Sequence, residues 1–266
     1  LDPVVRGEGR LFLVGCGTSW HAALVGRYMI EAEARLPVEV DYASEFRYRR
    51  PVLRSRDVVV AISQSGETAD TIAALELARE HGCPVGSICN VPGSSIGRMS
   101  DAAFRTFAGP EVGVASTKAF TAQLAVIRLL SLSLGRLRGF LDESSQHREV
   151  EELLETTTKM DAVLQEEESV SSLARRYADR TNVLYLGRGA QFPIALEGAL
   201  KLKEVSYIHA EGYPAAEMKH GPLALVDRSL PVVSIAVDDG HYRKMLSNIE
   251  EVRARGGEVI CVSDRS

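Results

Sequence analysis

The sequence predicts an α/β protein of two tandem domains, each a parallel sheet between layers of helices (three layers, α/β/α), with the second domain cut short at its C-terminal end. Three observations predict it. Strand-like and helix-like stretches alternate, the pattern of helices crossing a parallel sheet. The pattern starts again near residue 182. A length of 266 residues is also more than one core holds comfortably.

Taken in order, "RLFLVGCG" (10–17) is an apolar run ending in glycines, a strand with the turn that follows it. The spacing then predicts a helix over about 18–35, strands in "PVEVDYAS" (37–44) and "DVVVAISQS" (57–65), a helix over about 67–81, and a strand in "CPVGSICN" (83–90). The second round repeats the first. "LYLGRG" (184–189) repeats "FLVGCG" (12–17) at an offset of 172, "PVVSIA" (231–236) answers "VVVAIS" (58–63) at 173, and "VICVS" (259–263) answers "SICNV" (87–91) at 172. Matches in order at nearly one offset indicate a duplicated domain. Between the copies, Val150, Leu153, Leu154, Met160 and Leu164 form one helical stripe, and Val170, Leu173, Ala174, Tyr177 and Ala178 another. The expected division is a first domain over 1–142, a helical linker over 143–168 and a second domain over 169–266. The chain begins at Leu1 and stops just past its last matching strand, so it is expected to be a piece of something longer.

Composition excludes several classes. Apolar residues at 45% and charged ones at 25% make an ordinary globular mixture. A net charge of −5 argues against a surface that tracks a nucleic-acid backbone, which needs clustered cations. The longest apolar run, "LAVIRLLSLSL" (124–134), is short and interrupted by Arg128, so no membrane span is expected. Cysteines 16, 83, 89 and 261 form no CxxC pair and have no histidine at metal spacing, which predicts reduced, buried thiols in a cytoplasmic protein, and no metal.

Helices that follow parallel strands present unpaired N–H groups and a positive dipole end, and anions collect there. The first domain has three such loops rich in short hydroxyls, "GCGTSW" (15–20), "SQSGET" (63–68) and "VASTK" (114–118). Serine and threonine at these places either cap the helix or donate to a ligand. In the second domain the matching loops are "GRGAQF" and "AVDDGH", with Asp238 and Asp239 where the first has Gln64 and Ser65. Carboxylates repel a phosphate, so one site for a phosphomonoester is expected, in the first domain. A dinucleotide fits poorly, because Trp20 stands where the third glycine of its fingerprint belongs, and no GxxxxGK[ST] exists.

The other dense stretch is "PIALEGALKLKEVSYIHAEGYPAAEMKHGPLAL" (193–225). Pro193 suits a first helical turn. Glu197, Lys201 and Glu204, four and three residues apart, share one helix face. Glu211, Glu217, Lys219 and His220 then crowd a loop punctuated by glycine and proline. A helix carboxylate with a loop histidine suffices to move a proton between adjacent sugar carbons. Histidines 21, 81, 147, 209 and 241 lack such company and read as structural or surface groups.

With "CGTSW", "SQSGETADT", "ICNVPGSS", "GVASTKAFT", "ALEGALKLKEVSYIHAE" and "EMKHGPLAL" in this order, the chain resembles the isomerase half of the glutamine:fructose-6-phosphate aminotransferases, along essentially its whole length. The resemblance implies two flavodoxin-like sugar isomerase (SIS) domains, with no organic cofactor. Its implied reaction makes glucosamine 6-phosphate from fructose 6-phosphate and glutamine-derived ammonia. On matching positions it implies that Ser63, Gln64, Ser65 and Thr68 bind the phosphate, with Thr18 and Ser19 nearby on the sugar side. Ser116 and the backbone around Val114 would line the sugar pocket. Glu204 would move a proton between C1 and C2, Lys201 would assist at the neighbouring oxygen, and His220 would open the ring, reaching the partner's site in a homodimer. The family's N-terminal glutaminase domain and its tail lysine, which forms an imine with the ketose, have no counterpart in this sequence, so the chain is expected to bind sugar phosphate and to isomerise it weakly at best. A non-catalytic phosphosugar-sensing module and a stand-alone phosphosugar isomerase remain as alternatives.

Overall fold

The computed structural model describes residues 1–265. The chain divides into two compact units, Leu1–Leu154 and the residues from Glu155 on. Unit 1 runs α1 (Asp2–Val5), β1 (Leu11–Gly15), α2 (Thr18–Ala34), β2 (Val38–Tyr42), α3 (Ala43–Phe46), β3 (Val58–Ser63), α4 (Ala69–Glu80), β4 (Val85–Cys89), α5 (Ser95–Met99), β5 (Ala102–Arg105) and α6 (Lys118–Leu137). Its five strands pair in parallel in the order β2-β1-β3-β4-β5.

The strands at the centre of this sheet are apolar throughout because both faces are covered. Every residue of β1 and β3 is buried, the pattern of a parallel strand between two helix layers. Alternate residues sort to opposite faces. Phe12, Val14, Val59 and Ala61 pack with Phe46 of α3, Ala74, Leu75 and Ala78 of α4 and Ile96 of α5. On the other face Leu13 meets Gly26 of α2, where Ile127 of α6 also lies.

Helix α6 is long and apolar enough to cross a membrane by length and composition, although its longest uninterrupted run is short. It packs instead along α2, burying Phe120, Gln123, Ile127 and Leu130. The half-buried Arg128 bonds Glu33 of α2 at 2.7 Å and also Glu149. Glu149 lies on α7 (Glu143–Leu164), within which the two units divide. No residue of α7 is buried, and its Leu154, Val163 and Leu164 are about two-thirds exposed.

Unit 2 continues with α8 (Glu167–Tyr177), β6 (Asn182–Gly187), α9 (Gln191–Ser206), β7 (His209–Pro214), two 3-10 turns (Ala215–His220 and Pro222–Leu225), β8 (Val232–Ile235), α10 (Tyr242–Ala254) and β9 (Val259–Val262). The strand order β7-β6-β8-β9 reproduces that of unit 1 without a fifth strand among the described residues. The two-faced packing recurs, with Leu184, Leu186 and Val232 against Met245, Ile249 and Val252 of α10. Val183, Tyr185 and Val233 pack with Ala199 and Leu202 of α9. The duplication read from the offsets is thus a duplication of topology.

All four cysteines are free. Cys83 and Cys89 are buried as expected, whereas Cys16 is half-buried and Cys261 is exposed. Cys261 lies on β9, which has β8 as its only neighbour among the described residues. Apolar letters in an edge strand do not guarantee a covering layer.

Candidate functional site

At the C-terminal ends of β1 and β3, a cavity of ≈ 210 Å³ is lined by Cys16, Thr18, Ser19, Ile62, Ser63, Gln64, Ser65, Thr68, Thr71 and Ser116. Six of the predicted binding residues from two distant loops, together with Ser116 from a third, therefore meet in one place. None of the lining residues is charged. Roomier cavities exist, one around Asn90 and Phe107 and one in unit 2 around Arg180 and His209. The small one is singled out by how its hydroxyls are bonded.

Three of the four serine hydroxyls that line this cavity are used as acceptors by the protein. Ser63 Oγ accepts the Gly66 N–H at 2.9 Å, Ser65 Oγ accepts the Glu67 N–H at 3.2 Å, and Ser19 Oγ accepts from Gln123 Nε2 at 3.0 Å. A serine hydroxyl has one proton to give, so these three protons remain for a ligand. Thr68 stands at the N-cap of α4 without making a side-chain cap. Thr117, the N-cap of α6, likewise makes no side-chain cap, so capping does not account for these two threonine hydroxyls. The one carboxylate in the 63–68 loop is drawn away: Glu67 Oε1 accepts the Ser95 N–H at 2.8 Å. What faces the cavity is a set of neutral donors at the start of α4, an arrangement suited to an anion.

The loop depends on Gly66, whose φ is +69°. A Cβ added there would lie 2.2 Å from Ser94 Oγ and 2.7 Å from Cys89 Sγ, both buried. Gly66→Ala is expected to destabilise the protein by about 1–3 kcal/mol, from strain at positive φ together with overpacking. Urea denaturation checks the cost. A variant as stable as the parent would contradict the close packing of this turn.

The third hydroxyl loop is wired differently. Glu111 Oε2 accepts the Ser116 hydroxyl at 3.0 Å, and Oε1 accepts the backbone N–H groups of Thr117 at 2.9 Å and Ala119 at 3.3 Å. Burial pushes this carboxyl up, and those three bonds with the Lys118 charge outweigh it, so Glu111 titrates below its ordinary range. An internal carboxylate thus already occupies the N-terminus of α6, whereas the carboxylate of the 63–68 loop is turned to Ser95. Ser116 reaches the cavity with its proton given to Glu111, while the Val114 side chain is fully exposed and lies outside the lining. Nothing in the local sequence marked Glu111 as a cap, because it stands five residues before Ser116.

In unit 2 the predicted helix face is present on α9. Pro193 sits in its first turn, where its missing N–H costs nothing. Lys201 Nζ lies 2.5 Å from Glu204 Oε2 and 3.5 Å from Glu197 Oε1. Glu197 is 5% exposed, whereas Glu204 is accessible. The ammonium therefore bridges a buried carboxylate and an open one, which fixes Glu204 by a charge-assisted bond. The loop cluster expected after α9 is dispersed. Glu211 belongs to β7 and accepts the Tyr213 hydroxyl at 2.5 Å. Lys219 pairs with Glu251 at 2.7 Å. His220 ends a 3-10 turn with its side chain exposed. Asp238 is paired with Arg265, and Asp239 accepts the His241 N–H at 3.0 Å, so both carboxylates of the matching loop are present and engaged.

Two parallel sheets of one strand order, the first with an uncharged donor-lined cavity at its strand ends, define a tandem α/β protein. The SIS domain model matches residues 5–133 and 176–266, and the chain belongs to that family. It is 58% identical over 254 residues to the glutamine–fructose-6-phosphate aminotransferase (isomerizing) of Chlorobaculum tepidum, covering 96% of this chain and 41% of that protein. It is 56% identical to the enzyme of the same name from Bacteroides thetaiotaomicron, covering 94% and 41%. The chain thus spans about two fifths of the length of these curated relatives. Among solved structures, the C-terminal domain of glucosamine-fructose-6-phosphate aminotransferase from Francisella tularensis superposes with a TM-score of 0.96 at 43% identity, covering 100% of this chain and 76% of that one. The tagatose-6-phosphate ketose/aldose isomerase of Escherichia coli shares the fold, with a TM-score of 0.81 at 21% identity over 100% and 74% of the two chains.

Proposed function

We propose that this chain is the sugar-phosphate isomerase part of a cytoplasmic enzyme that converts fructose 6-phosphate and glutamine-derived ammonia into glucosamine 6-phosphate. The observation that carries the reading is the bonding of the cavity in unit 1, where Ser19, Ser63 and Ser65 each accept from the protein and keep a proton for an anion. A phosphate monoester takes several neutral donors at once, and the Thr68 hydroxyl and the first N–H groups of α4 complete the set. Names of relatives at 50–58% identity support the choice of sugar. In unit 2, Glu204 is the base that carries a proton between C1 and C2, Lys201 stabilises charge at the adjoining oxygen, and His220 opens the ring. The exposure of His220 suits action in a second copy of the chain, so the enzyme works as a homodimer.

Binding tests the phosphate assignment. Ser63→Ala with Thr68→Ala is expected to weaken binding of fructose 6-phosphate by about 1–3 kcal/mol, the loss of charge-assisted hydrogen bonds. Calorimetric titration measures it, and an unchanged dissociation constant contradicts the site. Subunit mixing tests the dimer. Glu204→Gln and His220→Ala subunits, each inactive alone, are expected to recover activity when mixed. No recovery, with mixed dimers demonstrated by mass, would place His220 in its own subunit's site.

A further inference from the structure

We propose that Gln123 is a positioning residue for the phosphosugar cavity: it fixes Ser19 as a hydrogen-bond donor toward the ligand. The inference rests on the functional reading above and adds a residue that the reading does not contain. Gln123 is 1% exposed on α6, on the face that also buries Phe120, Ile127 and Leu130. A buried amide is costly unless it is bonded, and this one makes a single bond, from Nε2 to Ser19 Oγ at 3.0 Å, across 104 residues of sequence. Its Oε1 has no partner. An apolar side chain would fill this helix face without leaving a polar atom orphaned, so stability does not explain an amide here.

Orientation of the ligand explains it. Ser19 is 8% exposed, and its hydroxyl lines the cavity. A free hydroxyl rotates and serves as donor or acceptor alike. With Gln123 Nε2 donating to it, the Ser19 oxygen is engaged from the α6 side, and its proton has no acceptor among the described residues. The proton is left to a ligand oxygen. Ser63 and Ser65 are set the same way by the backbone N–H groups of Gly66 and Glu67. At Ser19 no backbone group does this, and a side chain from a remote helix takes over.

A double-mutant cycle with calorimetric binding of fructose 6-phosphate tests the proposal. Gln123→Met is expected to weaken binding about 3- to 10-fold in the parent and less than about 2-fold in a Ser19→Ala background, because the effect passes through that hydroxyl. Equal weakening in both backgrounds would show a merely structural role and overturn the proposal, as would no weakening in either. Gln123→Asn, which withdraws the amide by one methylene, is expected to show the same pattern and covers the case in which Gln123→Met does not fold. If the parent binds no fructose 6-phosphate at all, the functional reading itself fails. If the parent binds and the cycle shows no coupling, only the role of Gln123 fails.

Discussion

Glu204→Gln in the complete enzyme is expected to lower exchange of a C1 hydrogen of fructose 6-phosphate with solvent deuterium by at least about 100-fold, the usual contribution of a positioned base. Glutamine keeps the size of the side chain and can still accept from Lys201, whose ammonium lies 2.5 Å from Glu204 Oε2. It cannot carry away a proton. Fructose 6-phosphate affinity is expected to stay within about 2-fold, because in the proposed function the hydroxyls of unit 1 hold the ester group and the substitution leaves them untouched. NMR reads exchange and calorimetry reads binding on the same preparations. Exchange within about 3-fold of the parent would remove Glu204 from the chemistry.

Asp57→Ala is expected to be the most damaging substitution for stability in unit 1, at about 2–4 kcal/mol. Asp57 is 1% exposed at the entrance of β3. Its Oδ1 accepts the Arg10 N–H at 3.0 Å, and its Oδ2 accepts the Arg54 N–H at 2.9 Å and Arg10 Nη2 at 2.6 Å. The carboxylate ties the starts of the two central strands together, and alanine would leave those donors unmatched. Burial pushes the Asp57 carboxyl up, but the bonds from Arg10 and Arg54 outweigh it and hold it below the ordinary range. A carboxyl lowered in the folded state stabilises above its unfolded pKa of about 3.9, and that contribution is lost as pH falls through the lower folded value. Urea denaturation is therefore expected to show a parent–variant gap that is full at pH 7 and narrows in strong acid. A gap that widens as pH falls would contradict the assignment.

Much of the fold was legible because β1 and β3 are buried on both faces, which leaves unbroken apolar runs followed by serine and glycine at the strand ends. The offset of 172 then exposed the second copy. The hydroxyl-rich 63–68 loop was legible for the same reason, since its hydroxyls follow such a run directly. Contacts between residues far apart in sequence were not. Gln123 reaches Ser19 across 104 positions, and Arg10 meets Asp57 across 47. The crowding of Glu211, Lys219 and His220 in sequence did not show their separate engagements, Glu211 on strand β7 and Lys219 paired with Glu251. Glu111 shows the converse, a carboxylate that folds back over three donors of a loop that otherwise resembles an anion site.

The central claim is that neutral donors of unit 1 hold the ester phosphate, and a crystal structure with fructose 6-phosphate bound tests it most directly. The phosphate oxygens are expected at about 2.6–3.2 Å from the hydroxyls of Ser63, Ser65 and Thr68. A phosphate beside Asp238 in unit 2, or anywhere outside the cavity formed by these residues, would contradict it.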